Sequence, residues 1–221
     1  MTILVTGASG QLGRLVIASL LARGAAPADI VAGARSPQKI ADLAARGVRV
    51  VTLDYDDPAT ITAALEGVDR VLLISGDAVG SRVGQHRAVV DAAAAAGVEL
   101  FAYTSVTAGV DSPLPLAPDH VETEAAVAAS GVPAVILRNN WYFENYLPDL
   151  ERARETGEVA AGVGDGRVSG AARADYAEGA AAVLLSDGHA GQVYEFGGET
   201  SYGYDDLAGA IGEVIGRPVR Y

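Results

Sequence analysis

The feature that most constrains the fold is a regular alternation of short apolar runs with helical patterns over the first 138 residues. The runs have strand length and are apolar throughout, as in strands that are covered on both faces. We predict strands at residues 2–6, 30–34, 48–53, 68–74, 99–104 and 132–138. Helices on both faces of a parallel sheet bury such strands. The sequence therefore predicts an α/β fold with a doubly wound parallel sheet of the Rossmann type.

Between the strands, apolar residues recur at helical spacing. Helices are predicted at residues 11–23, 37–46, 58–66, 81–96 and 118–129, with Ser36 and Asp57 as caps of the second and third. After residue 138 the rhythm changes, and we predict a loop at 162–170, a helix at 173–186, a strand at 192–196, a helix at 204–215 and a strand from 217. We expect residues 1–138 to form the dinucleotide-binding core. Residues 139–221 then hold the rest of the core and part of a small substrate-binding lobe.

Composition excludes several classes of protein. The chain has 221 residues, a net charge of −12, no cysteine and three histidines. The acidic balance argues against nucleic acid or an anionic membrane as partner, and the residue types argue against a metal site. The amino terminus lacks the basic and apolar regions of a signal peptide, and no apolar run reaches the roughly 20 residues of a membrane span. We therefore expect a cytoplasmic protein.

Three glycines follow the first strand and open the first helix. Gly7, Gly10 and Gly13 form the spacing G-x-x-G-x-x-G. In such a loop the glycines permit a tight turn, close approach of a pyrophosphate and close packing of the helix on the strand. The amide groups at the helix amino terminus favour phosphate. The loop, with Ser9, Gln11 and Leu12, is therefore predicted to bind the phosphates of a dinucleotide.

The second strand indicates which dinucleotide is bound. A site that prefers NAD carries an acidic residue about 20 residues after the loop, where this chain has Arg35. Arg35 and Lys39, the only lysine, suit the 2′-phosphate of NADP(H), so we predict that cofactor.

The ends of the third and fourth strands carry further candidate contacts. Asp54 and Tyr55 are expected to flank the adenine, and Ser75 and Gly76 are expected to line the pyrophosphate and ribose. These segments follow parallel strands, and ligands bind at the carboxyl ends of such strands.

The catalytic residues are not evident from the sequence. Many short-chain dehydrogenases use a Tyr-x-x-x-Lys pair, but no tyrosine lies four residues before Lys39. His120 and Glu124 have that spacing without the same chemistry, and His120 is a candidate proton donor or substrate contact. The hydroxyls of residues 104 and 105 are a further option. The reaction should therefore need a hydride and little proton transfer, which fits quinones and cationic dyes.

An aromatic and amide-rich segment follows the sixth strand. Residues 137–146 read LRNNWYFENY. Asparagine amides can hold a carboxamide, and Trp141 and Tyr142 can form a flat wall for a ring. Asn140 and Tyr142 join His120 as catalytic candidates.

Several segments together resemble the NmrA-like atypical short-chain dehydrogenases, and within them the flavin-free NAD(P)H:quinone oxidoreductases of type 2. They include TGASGQLG, LLISGDAVGSRVGQHRAVVDAAAAAGV, HVETE, LRNNWYFENY and GDGRVSGAARADYAEGAAAVL, and they span nearly the whole chain. The resemblance implies a bound NADPH and reduction of small quinones, and as a family property it suggests a homodimer. Position by position, it implies that these residues contact the cofactor: 7–12, Arg35, Ser75, Gly76, Asp77, Asn139, Asn140, Trp141, Tyr142, Glu144 and Arg173.

Two alternatives remain open. NmrA-like proteins include non-catalytic NADP(H) sensors that bind a regulatory protein, and related reductases act on cationic or azo dyes. The segment 139–146 favours an enzyme, because it suits a ring substrate beside nicotinamide. Members of the family usually continue beyond the point where this chain ends. We therefore expect a truncated substrate lobe beside an intact cofactor site.

Overall fold

The structure, a computed structural model, describes residues 1–78 and 80–221. Within these ranges, seven strands form one sheet in the order β3-β2-β1-β4-β5-β6-β7, and all neighbouring strands are parallel. The strands are β1 (Ile3–Val5), β2 (Ile30–Ala34), β3 (Arg49–Thr52), β4 (Arg70–Leu73), β5 (Leu100–Val106), β6 (Ala134–Asn139) and β7 (Val193–Phe196). The predicted doubly wound parallel sheet is confirmed.

The helices of the sheet lie on both of its faces. They are α1 (Gln11–Ala22), α2 (Ala41–Ala45), α3 (Pro58–Ala64), α4 (Arg82–Ala96), α5 (Ala117–Ser130) and α7 (Arg173–Leu185). Side chains of α3, α4 and α5 share one apolar core with β1, β4 and β5. Because crossovers are right-handed and the strand order reverses after β1, α1 packs on the opposite face. There Arg23, just after α1, pairs with Glu178 of α7 at 2.6 Å.

The predicted helix at residues 37–46 is wrong in part. Residues Pro37–Ile40 form a 3₁₀ turn, and only Ala41–Ala45 is α-helical. The Lys39 carbonyl, which a continuous helix would direct along its own axis, lies 2.5 Å from the Arg14 guanidinium. Ser36 occupies the N-cap position of this turn, as predicted, but its side chain makes no cap hydrogen bond. The Asp57 cap is confirmed, because its carboxylate accepts the Ala59 amide at 3.0 Å.

The chain divides into two compact units. The first comprises residues 1–139 and 174–196, and the second comprises residues 140–173 and 197–221. The second unit contains α6 (Leu147–Thr156), which the sequence analysis did not predict, and α8 (Tyr204–Ile215). Its core joins Tyr146, Ala153 and Leu207. The strand expected from residue 217 is wrong, since Arg220 makes only an isolated bridge with Glu158.

Within the described ranges, no helix combines the length and the apolar character required to cross a bilayer. The predicted division of function at residues 138 and 139 remains a prediction.

Candidate functional site

A cleft of about 380 Å³ opens in the first unit at the carboxyl ends of β1, β2, β3 and β4. These four strands are neighbours, and the strand order reverses between β1 and β4. Open α/β sheets bind their ligands at such a reversal. The lining residues are Gly7, Ser9, Gly10, Ala34, Arg35, Lys39, Leu53, Asp54, Tyr55, Ile74, Ser75, Gly76, Asp77, Ala78 and Gln85.

Most of the cofactor residues predicted in the first half of the chain line this one cleft. They are Gly7, Ser9, Gly10, Arg35, Lys39, Asp54, Tyr55, Ser75, Gly76 and Asp77. Gln11 and Leu12 are not among its lining residues, and they follow Gly10 in the first turn of α1. Three further lining residues were not predicted although each ends or directly follows a strand, which was a usable signal: Ala34, Leu53 and Ile74. For two others, Ala78 and Gln85, the sequence carried no signal.

The glycine loop has the geometry that its spacing predicted. Gly7 has φ +58°, which side chains disfavour. A Cβ on Gly13 would lie 2.5 Å from the Gly7 carbonyl oxygen and 2.8 Å from the Cα of Ala8. Helix α1 therefore packs on the loop at a distance that only glycine allows at position 13.

The amino terminus of α1 is suited to an anion. The helix has 12 residues, no acidic residue in its first turn and no side-chain cap at Gly10. The first amides of a helix lack partners within it and carry the positive end of its dipole. A Cβ on Gly10 would lie 3.2 Å from the Gly7 oxygen, so a side chain there would crowd this loop.

Two cations stand at the end of β2. Arg35 and Lys39 both line the cleft, and both are exposed. The turn between them is held by Arg14, whose guanidinium contacts the Lys39 carbonyl and pairs with Asp42 at 2.8 Å. The hydrogen bond from Arg14 lowers the pKa of Asp42, so this carboxylate stays charged. The arrangement leaves the positive side chains of residues 35 and 39 at the cleft.

The segment that follows β4 is fixed by side chains rather than by a neighbouring strand. The amides of residues 74, 75 and 76 donate in turn to Thr6 Oγ1 at 3.0 Å, Thr104 Oγ1 at 2.9 Å and His86 Nε2 at 3.1 Å. The Tyr55 hydroxyl lies 2.6 Å from Thr6 Oγ1 and 3.1 Å from the Ile74 carbonyl oxygen. Burial raises the pKa of Tyr55, so its hydroxyl stays protonated.

His120 is buried, with only 6% of its surface exposed, and it is absent from the lining of the cleft. Its Nδ1 lies 2.8 Å from the Tyr103 hydroxyl oxygen. Burial, with the nearby Arg82, lowers the pKa of His120 to about 4, so the ring is neutral at neutral pH. A role for His120 as proton donor remains a prediction.

Glu124, four residues after His120, belongs to an ion-pair network. Its carboxylate accepts from Ser105 Oγ at 2.5 Å and pairs with Arg138 at 2.7 Å. The hydrogen bond to Glu124 raises the pKa of Arg138, which also pairs with Glu195 at 3.0 Å. The Ser105 hydroxyl, which the sequence offered as a further catalytic candidate, therefore donates its hydrogen bond to Glu124.

The remaining predicted residues lie near or beyond the end of β6. Asn139 ends that strand in the first unit and is buried, and its carbonyl accepts the Thr107 amide at 3.0 Å. Asn140, Trp141, Tyr142, Glu144 and Arg173 belong to the second unit.

In the second unit, Tyr142 and Glu144 both contact Arg173. The Arg173 guanidinium lies 4.8 Å from the centre of the Tyr142 ring, and its backbone amide donates to Glu144 at 2.9 and 3.0 Å. The unit thus brings Tyr142, Glu144 and Arg173 together. Asn140 accepts the Trp141 amide at 2.8 Å.

Comparison with known proteins gives a consistent result. A family described as NAD(P)H-binding matches residues 7–187. Quinone oxidoreductase 2 of Escherichia coli strain K12 is 47% identical over 219 residues, which are 99% of this chain and 76% of that protein.

Two solved structures are similar over the whole chain. A structure of NADPH-dependent quinone oxidoreductase from Escherichia coli, complexed with NADPH, has a TM-score of 0.95 and 45% identity and covers all of this chain and 78% of its own. The triphenylmethane reductase of Citrobacter sp., complexed with NADP(H), has a TM-score of 0.94 and 36% identity, covering 99% of this chain and 78% of its own.

Proposed function

Because the chain belongs to the NAD(P)H-binding family, we propose that it is an NADPH-dependent reductase that transfers hydride to a small quinone without flavin. The observation that carries the proposal is the cleft at the ends of β1 to β4. This cleft combines a glycine loop at a helix amino terminus with Arg35 and Lys39 where an NAD site would carry an acidic residue.

The residues present fit a phosphorylated dinucleotide. The loop at Gly7 and Gly10 and the first turn of α1 would hold the pyrophosphate, because the two glycines place no side chain in the loop and a helix amino terminus favours phosphate. Arg35 and Lys39 would hold the 2′-phosphate by charge-assisted hydrogen bonds. Asp54, which lines the same cleft, would contact the adenosine.

The substrate class follows from the chemistry that the chain can support. When bound, reduced nicotinamide supplies a hydride, and one proton from solvent completes the reduction of a quinone to a hydroquinone. The Ser105 hydroxyl donates to Glu124, and the His120 ring bonds to Tyr103, so both groups are engaged within the protein. An acceptor with a low proton demand fits this arrangement best.

The aromatic segment after β6 would form the part of the site that binds the quinone, which accepts the hydride. We propose that Asn139, Asn140 and Trp141 contact the nicotinamide end of the cofactor and that Tyr142 faces the quinone ring. Glu144 would act by fixing Arg173, whose amide it binds. The 47% identity to a quinone oxidoreductase supports this substrate class over dyes.

The test measures oxidation of NADPH by a small soluble quinone, without added flavin, against a protein-free blank. Arg35→Glu should raise KM for NADPH by about tenfold or more, since it replaces attraction to the 2′-phosphate by repulsion, and should leave KM for NADH nearly unchanged. Arg46→Glu is the matched control, because Arg46 is exposed and lies outside the cleft lining.

The outcomes separate the candidate functions. Quinone turnover above the blank that depends on Arg35 supports the proposal. Faster turnover of a cationic or azo dye than of any quinone would transfer the assignment to a dye reductase. NADPH binding with no turnover of any acceptor would refute the reductase and leave a dinucleotide sensor.

The same proposal includes a cytoplasmic location and the homodimer that the family resemblance implies. Sedimentation of the purified chain measures the second point directly, and a monomer at assay concentration would remove the dimer from the proposal.

A further inference from the structure

His86 is a buried side chain that the proposed reaction does not use directly. It lies on α4, is fully buried, and is packed edge-on against the rings of Tyr55 and Tyr103 at centroid distances of 6.3 and 5.5 Å. Its two ring nitrogens both have polar partners: Nε2 faces the Gly76 amide and Nδ1 faces the Thr123 hydroxyl. A buried imidazole with two defined partners is held in one orientation.

The hydrogen bonds fix which nitrogen carries the proton. Gly76 N–H can only donate, so Nε2 must accept, and the proton of the neutral ring is on Nδ1. That proton is donated to Thr123 Oγ1 at 3.0 Å, and the Thr123 hydroxyl in turn donates to the Asp119 carbonyl at 2.8 Å. Burial, with the nearby Arg82, lowers the pKa of His86 to about 4, so the ring is neutral at neutral pH.

The Gly76 amide is the last of three consecutive amides that are turned inward. The first two donate to Thr6, just after β1, and Thr104 on β5, so they extend the pattern of the sheet beyond the end of β4. At Gly76 the acceptor comes from a helix instead. With all three donors occupied, this stretch does not offer these amides to a phosphate.

The place of the segment in the sheet assigns it to one half of the dinucleotide. The adenosine side of the cleft lies toward β2 and β3, and β4 lies on the other side of β1. We propose that His86 is a positioning residue for the nicotinamide half of NADPH: through the Gly76 amide it holds Ser75 and Gly76, which line the cleft, in place beside that half of the cofactor. The inference rests on the proposed NADPH function.

The test compares two probes, NADPH and 2′,5′-ADP, by calorimetric titration. In His86→Phe, which removes the acceptor but keeps a ring, the Kd for NADPH should rise about tenfold, because a partly buried amide loses its partner. The Kd for 2′,5′-ADP, which contains only the adenosine half, should change by less than about twofold. His86→Gln, which can present an acceptor oxygen, should recover most of the NADPH affinity.

Two further variants keep the test decisive. Thr123→Val has a similar shape and removes the partner of Nδ1, so it should weaken NADPH in the same selective way if His86→Phe does not fold. His189→Phe makes the same change at a histidine that bonds Ser186 and Tyr194 near β7, and both probes should bind it as they bind the wild type.

Failure of the inference differs from failure of the proposed function. If the wild type binds neither probe, the NADPH assignment itself is wrong. If the wild type binds both, but His86→Phe weakens both equally or neither, the positioning role is overturned while the reductase proposal stands.

Discussion

Replacing Gly13 by alanine tests whether α1 packs on the phosphate loop too closely for any side chain at position 13. The new Cβ would lie 2.5 Å from the Gly7 carbonyl oxygen and 2.8 Å from the Cα of Ala8. Carbon atoms in contact normally stand about 3.5–4.0 Å apart, so α1 and the loop must separate by roughly 1 Å. Both opposing atoms are backbone atoms, so no side chain can rotate to relieve the overlap.

The expected magnitude follows from two opposing effects. Overpacking of this kind costs about 1–3 kcal/mol, and alanine in a helix gains about 0.5–1 kcal/mol over glycine. We expect a net loss of about 1–2 kcal/mol in the free energy of unfolding. Gly209→Ala in α8 is the matched control, because nothing lies within 4 Å of its added Cβ. That control should be about 0.5–1 kcal/mol more stable than the wild type.

The assay is urea unfolding of both variants, followed by NADPH titration. A displacement of about 1 Å at the first turn of α1 should weaken NADPH binding by about 10–100-fold, because binding groups tolerate little misplacement. Gly209→Ala should bind NADPH normally. A Gly13→Ala protein as stable as the wild type, with unchanged NADPH affinity, would refute the close-packing argument.

Three further predictions concern charge. In the folded protein the pKa values of His86 and His120 are lowered to about 4, so the free energy of unfolding is at its full value above the unfolded pKa near 6.5 and falls as the pH drops toward 4, with a slope up to about 1.4 kcal/mol per pH unit for each histidine. Replacing both histidines by glutamine should flatten this dependence of the unfolding free energy on pH. An unchanged slope would contradict the prediction. A double-mutant cycle of Arg138→Met and Glu124→Gln should give a coupling energy of about 1–3 kcal/mol, as expected for a largely buried ion pair, and a value near zero would count against the network. Arg14→Ala should raise the Kd for NADPH by about 2–5-fold, as befits exposed contacts, while NADH binding stays constant.

The sequence predicted the parts of the site that depend on local chemistry. The spacing of Gly7, Gly10 and Gly13 implied a close approach of helix and loop, and Asp57 implied a helix cap. Both are properties of a few adjacent residues. The positions of the strand ends also followed from the apolar runs, which placed Arg35 and Ser75 at one edge of the sheet.

The parts that were missed depend on contacts between distant segments. The predicted helix after Ser36 is interrupted where Arg14, 25 residues before Lys39, binds that residue's carbonyl. The burial of His86 and His120 follows from the packing of α4 and α5 on the sheet, which no local pattern reveals. Helix α6 was different, since its proline in the first turn and its helix-forming residues were visible signals that went unused.

The segment 74–76, which side-chain acceptors hold in place after β4, also offers a way to follow local motion of the cleft. The amides of residues 74, 75 and 76 are hydrogen-bonded although they belong to no strand. Their exchange with solvent deuterium requires release of individual threonine or histidine acceptors rather than separation of the sheet. These three amides can therefore report opening of the cleft at free energies below that of global unfolding, residue by residue, in the folded protein.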